Sequence, residues 1–211
     1  MNISAAVVFI VDDDPLIRDA LDQLVRSVGL TAETFSSARA FLDTELPDQP
    51  GCLVSDIRMP ELSGLDLQDE LIKKGVSIPI IFMTGHGTVP MSVRAMKAGA
   101  LDFIEKPFED QELLDAINRA IKQSRMVRTE EAEIDAIEQR LNLLTLREHE
   151  ILTFIIAGKL NKQIAYDLGM SENTVKTHRA RIMRKMSVNS LAELVRSTEK
   201  IALQPQYDST S

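Results

Sequence analysis

The chain has 211 residues, 44% of them hydrophobic and 27% charged, with a net charge of -8, a length that suits two modest domains with separate cores. Its single cysteine excludes a disulfide framework and any zinc site built from paired cysteines, which fits a reducing, cytoplasmic setting. The apolar run at residues 5–11 follows no basic segment and is too short for a signal h-region or a membrane span, so no membrane partner is expected.

The charge is uneven: residues 1–123 carry -9, residues 124–140 carry -2, and residues 141–211 carry +3. A basic end on an acidic protein points to a polyanion met by the C-terminal third alone. In the first 120 residues, short runs rich in Val, Ile and Phe predict strands at 7–11, 31–35, 52–55, 78–84 and 101–104. Amphipathic stretches at 16–28, 38–44, 65–73, 90–98 and 111–122 predict the helices between and after them. Regular βα alternation implies a parallel sheet covered on both faces, with ligands bound outside the carboxyl ends of the strands.

That rule brings distant polar residues to one edge. Asp12 and Asp13 end the first predicted strand, Asp56 follows the third, Thr84 ends the fourth, and Lys106 lies just past the fifth. Consecutive carboxylates such as "VDDD" repel one another, so they are solvated, paired with bases, or neutralised by a cation. A Mg²⁺ ion takes one or two carboxylates plus phosphate oxygens, and aspartate can accept a phosphoryl group covalently. Lys106 would offset phosphoryl charge, and Thr84 would offer a hydroxyl donor, with Gly85 leaving room for close approach. His86 lies two residues on, and Cys52 reads as an inert core thiol.

Residues 124–144 lack Gly and Pro and place Ile134, Ile137, Leu141 and Leu144 in a three-four rhythm, predicting a helical linker over 124–140. That stripe suits either a coiled-coil contact or packing on the next domain. Residues 141–203 are helical in pattern, and 204–211 read as a frayed tail. Within them, residues 161–168 form a short helix, Gly169 suits a left-handed C-terminal position, and Ser171 suits an N-cap. Helix, Gly-containing turn and helix make a helix-turn-helix. On a helical wheel Val175, Ile182 and Met186 face the core with His178 at the border, while Asn173, Thr177, Ala180, Arg181 and Arg184 face away, flanked by Lys176. Long cations there suit phosphates, and short Thr177 and Ala180 let the backbone approach base edges.

"VDDD", "SDIRMP", "MTG" and "EKPF" resemble the receiver domain of two-component response regulators. The resemblance implies a flavodoxin-like, five-stranded (βα)5 domain over 1–123 with Asp56 as phosphoacceptor. It implies Mg²⁺, or Mn²⁺, held by Asp12, Asp13, Asp56 and the backbone carbonyl of Arg58. It implies phosphoryl contacts from Thr84 and Lys106 and a cis Lys106–Pro107 bond. Phe103 stands where many receivers carry a switch aromatic; plain strand core is the other reading. "LTLREHEIL", "NKQIA", "LGMSENTVKTH" and "IMRKM" resemble the four-helix DNA-binding domain of the LuxR/NarL class over 141–203, with the last helix at 191–200 in dimer contacts. There Lys176, Thr177 and Ala180 would lie nearest base edges, with Asn161, Lys162, Arg179 and Arg184 on phosphates, although the wheel turns Arg179 towards the core.

The combination is similar to the FixJ subgroup. It implies a transcription regulator, not an enzyme beyond self-phosphorylation and autodephosphorylation, that receives phosphate from a sensor histidine kinase. Phosphorylation would promote homodimerisation, binding to promoter DNA and, for an activator, contact with RNA polymerase; release of a masked basic helix is the other route. Two rivals stand beside this reading. One is phosphorylation-independent DNA binding with the receiver as a dimerisation scaffold. The other is a Mg²⁺-dependent aspartyl-phosphate phosphatase using "VDDDPL", which leaves Asp56 and the second domain without a role.

Overall fold

A computed structural model describes residues 6–85 and 89–202; His86 and the tail at 204–211 lie outside the described residues. The chain divides into two compact units after Arg128. In chain order the first holds β1 (Val7–Val11), α1 (Pro15–Ser27), β2 (Thr31–Phe35), α2 (Ala38–Leu42), β3 (Gly51–Asp56), α3 (Gly64–Lys73), β4 (Ile80–Thr84), α4 (Val89–Lys97) and β5 (Asp102–Glu105). Next comes α5 (Asp110–Asn142), within which the division falls.

All five strands pair in parallel in the order β2-β1-β3-β4-β5, the flavodoxin-like arrangement that the alternation and the resemblance predict. Because strand side chains alternate, the sheet builds a separate core on each face. Val8, Ile10, Cys52, Val54, Ile81, Met83 and Ile104 pack with Leu21 and Val25 of α1 and with Leu113, Ile117 and Ile121 of α5. On the other face, Val7, Phe9, Leu53 and Phe82 pack with Phe41, Leu65, Leu67, Leu71 and Ala95. Burial pushes the Cys52 thiol up to about 12, so no reactive thiolate forms near neutral pH.

The fifth helix does not stop near Lys122. The helix runs unbroken for 33 residues into the predicted linker, since no Gly or Pro interrupts it. Ser124 and Arg128 tie its middle to the start of β3 and the loop before it: the Ser124 hydroxyl accepts from the Gly51 N–H at 3.2 Å, and Arg128 pairs with Asp48.

The second unit adds α6 (Leu146–Ile156), α7 (Asn161–Asp167), α8 (Glu172–Lys185) and α9 (Leu191–Ala202). Its core joins Ile151, Leu152, Ile155, Ile164, Val175, Ile182, Met186 and Leu194 with Ile137 and Leu144, and Leu141 packs against it. Most of the linker stripe therefore packs on this unit. Gly169 has φ +63°, and the Ser171 hydroxyl caps α8 by accepting from the Thr174 N–H at 3.1 Å. Among the described residues no helix is long and apolar enough to cross a membrane.

Thr145 and Glu148 cap α6 reciprocally. A hydrogen bond from Lys185, with the Thr145 backbone N–H, holds the Glu148 carboxyl down at about 2. An acid depressed on folding contributes stability that is complete above its ordinary value and lost as pH falls through its folded value. The second unit should therefore lose stability between pH 4.5 and 2. A carboxyl-carbon NMR titration of Glu148 and acid melts of Glu148→Gln, expected to be less pH-sensitive in that window, check this.

Candidate functional site

Parallel strands end together, so β1, β3 and β4 deliver Asp12, Asp56 and Thr84 to one edge, where they are 1%, 7% and 1% exposed. The Lys106 N–H donates to the Thr84 carbonyl at 2.7 Å, and the Lys106–Pro107 peptide is cis. From there the Lys106 ammonium donates to Asp12 Oδ2 at 2.9 Å and to Asp56 Oδ1 at 2.7 Å. Residues 94 positions apart in sequence thus meet through one proton-rich group.

The three consecutive aspartates have three different fates. Asp12 turns inward; its Oδ1 accepts from the Asp14 N–H at 2.9 Å, and its carbonyl accepts from Arg18 Nη1 at 2.7 Å. Asp13 is exposed. Asp14 caps α1, its Oδ1 accepting from the Leu16 N–H at 2.9 Å. Among the described residues, no three or more His, Cys, Asp or Glu side chains form a group that could hold a metal. Asp12 and Asp56 are the two carboxylates that Lys106 joins.

Burial raises the pKa of Asp56, and the Asp12 charge adds to this, against the hydrogen bond from Lys106 and the Arg58 N–H, which donates to Asp56 Oδ2 at 2.6 Å. Burial works against the Lys106 ammonium as well, yet its bonds to Asp56 and Asp12 hold its pKa above the ordinary lysine value. Two carboxylates around one ammonium leave the pocket with surplus negative charge, the condition under which a divalent cation or a transferred group is favoured. Phe103 is half-buried and packs against the core face that includes Ala95 and Ala100.

Gly64 also shapes the pocket, and its place at the start of α3 gives no sequence signal of that role. A Cβ there would lie 2.4 Å from the Asp56 carbonyl oxygen and 3.1 Å from Ile57 Cα. Only a glycine lets α3 begin directly against the chain leaving Asp56. Gly85, by contrast, has no atom within 4 Å of where its Cβ would stand.

On the second unit, Lys176, Thr177, Ala180, Arg181 and Arg184 are all exposed along α8, as is Lys162 on α7; Asn161 and Arg179 are half-buried. Thr177 donates its hydroxyl to the Asn173 carbonyl at 3.0 Å, and Lys176 lies 3.7 Å from Glu172. Lys185, from the same basic stretch, turns inward to Glu148 instead.

A parallel-sheet unit with an acidic edge, followed by a helix-turn-helix unit, is the architecture of a response regulator. The response regulator receiver domain model matches residues 8–118, and the model for the luxR family of bacterial regulatory proteins matches residues 142–198. The chain belongs to the two-component response regulators that carry a LuxR-type DNA-binding domain. It is 48% identical to the response regulator protein TodT of Pseudomonas putida over 201 residues, 95% of this chain and 88% of TodT. The transcriptional regulatory protein FixJ of Azorhizobium caulinodans is 42% identical over 203 residues, 96% of each chain. The solved structure of the response regulator StyR is 49% identical, with a TM-score of 0.86, covering 93% of this chain and 100% of that one.

Proposed function

We propose that Asp56 accepts a phosphoryl group from a sensor histidine kinase in the cytoplasm, and that the phosphorylated chain dimerises and binds promoter DNA to activate transcription through RNA polymerase. The observation that carries this reading is the Asp12–Lys106–Asp56 bridge at the strand ends. One Asp56 carboxylate oxygen forms the new bond to phosphorus as the bond from phosphorus to the donor nitrogen breaks. Lys106, already 2.7 Å from Asp56, turns its ammonium to the incoming phosphoryl oxygens, and the buried Thr84 supplies a hydroxyl beside them.

The surplus negative charge and the all-oxygen donors fit Mg²⁺, with Mn²⁺ as a substitute. Asp12, Asp56 and the Arg58 carbonyl would hold it with the phosphoryl oxygens, and Asp13, exposed without the ion, would join them only by turning its side chain inward. When bound, the ion supplies charge neutralisation in the transfer. On α8, Arg181 and Arg184, with Lys162, Asn161 and Arg179, would contact phosphates, and Lys176, Thr177 and Ala180 would face base edges. Phe103 would follow the phosphorylation state from the sheet edge.

Intact-mass analysis after incubation with Mg²⁺ and acetyl phosphate is the direct test. The wild type is expected to gain one phosphoryl group and Asp56→Asn none. Equal uptake by both would move the acceptor elsewhere; no uptake by either, with donor and metal competent, would favour phosphorylation-independent DNA binding.

A further inference from the structure

Helix α8 is held in the second unit by two kinds of contact. Val175, Ile182 and Met186 are fully buried beneath it. The hydrophobic effect behind such contact is non-directional, whereas a hydrogen-bonded ion pair has a fixed geometry. The directional contact is at its end. Lys185, the last residue of α8, donates to Glu148 Oε2 at 2.6 Å and to the Leu143 carbonyl at 2.9 Å.

Glu148 is itself fixed. The same Oε2 accepts from the Thr145 N–H at 2.9 Å and from the Thr145 hydroxyl at 3.2 Å, and the residue is 2% exposed. Leu143 follows α5 directly, and Thr145 precedes α6. One ammonium therefore joins the end of α8, the start of α6 and the chain leaving α5. Glu148 is buried and Lys185 half-buried; an ion pair drawn out of water is a poor source of net stability compared with apolar packing, and its best-attested use is to select one register. Arg184, the neighbouring residue, stays exposed.

We propose that Lys185 is a positioning residue for sequence recognition: its bonds to Glu148 and the Leu143 carbonyl fix the rotation and axial register at which α8 presents Thr177 and Ala180. This rests on the reading of α8 as the DNA-contacting helix. Because the ammonium points inward, its loss removes no phosphate contact. Base contacts carry sequence information and phosphate contacts carry the salt dependence, so a loosened helix loses selectivity first.

The test uses the full chain and two duplexes: one selected by the wild type from a random pool, and a scrambled duplex of equal composition. Binding is measured across a salt series, at a temperature where circular dichroism shows each variant folded. Lys185→Met should lose tenfold or more of its affinity for the selected duplex, keep its affinity for the scrambled one within about twofold, and leave the salt slope unchanged. Glu148→Gln should shift the ratio in the same direction, since glutamine can still cap α6 but cannot form the ion pair. Equal loss on both duplexes with a salt slope shallower by about one would make Lys185 a direct phosphate contact and overturn the proposal. An unchanged ratio with only a lower melting temperature would overturn it too. Arg181→Ala separates the premise: if it changes neither affinity, the reading of α8 as the DNA face fails, whatever Lys185 does.

Discussion

Replacing Lys106 with methionine is expected to lower the receiver's stability by about 3 kcal/mol in the absence of divalent cation, the usual consequence of stripping one partner from a buried ion pair. Lys106 is the ammonium bonded to both Asp12 and Asp56, and those carboxylates are 1% and 7% exposed. Without it, two like charges face each other with little solvent. The Asp56 pKa, already raised by burial and by Asp12, should rise further. An acid raised on folding contributes stability that is present at low pH and lost as pH rises through its folded value, so the deficit should shrink on acidification. Mg²⁺ should stabilise the variant more than the wild type, because it replaces the missing charge and binding to the folded state adds directly to stability. Thermal melts with chelator and with Mg²⁺, at neutral and acidic pH, read both effects. A variant that melts with the wild type in chelator would show that Lys106 does not neutralise the pocket. Phosphoryl uptake from acetyl phosphate should also slow sharply, since the group that offsets phosphoryl charge is gone.

Gly64→Ala should be nearly as damaging for a different reason. The added methyl would sit 2.4 Å from the Asp56 carbonyl oxygen, with the Phe82 ring at 3.1 Å on another side. The nearest atom is backbone, so relief requires moving α3 or the segment that leaves Asp56. That segment carries the Arg58 N–H that bonds Asp56 Oδ2 at 2.6 Å. Overpacking of this kind costs about 3 kcal/mol, a fall of roughly 10 °C in melting temperature for a unit of this size, and phosphoryl uptake should fall with it. Gly85→Ala is the control for stability, because its Cβ meets nothing within 4 Å. Equal melting temperatures for the two variants would sink the steric account.

Much of the fold was legible because strand and helix periods are local. β1 and β2 match their predicted spans, and the other three strands differ at their ends, where pairing sets the limit: β4 begins at Ile80, opposite Leu53. The length of α5 was less legible. Sequence placed a helix at 111–122 and a helical linker after it, but only packing shows that the stripe from Ile137 to Leu144 belongs to the second unit's core.

By itself the sequence determined the parallel βα order, the convergence of Asp12, Asp56, Thr84 and Lys106 on one edge, and the helix-turn-helix with its caps. Each rests on a period, a cap or a topological rule that neighbouring residues satisfy among themselves. The tertiary structure decided which of three adjacent aspartates is buried, which is exposed and which caps a helix. It also decided that Lys185 turns to Glu148 while Arg184 stays in solvent, and that Gly64 must lack a side chain. Those outcomes depend on what lies across the fold, 37 residues away for Lys185 and 94 for the Asp12–Lys106 pair. Charge and size are written in the sequence, but the partner that gives each its energy is set by packing.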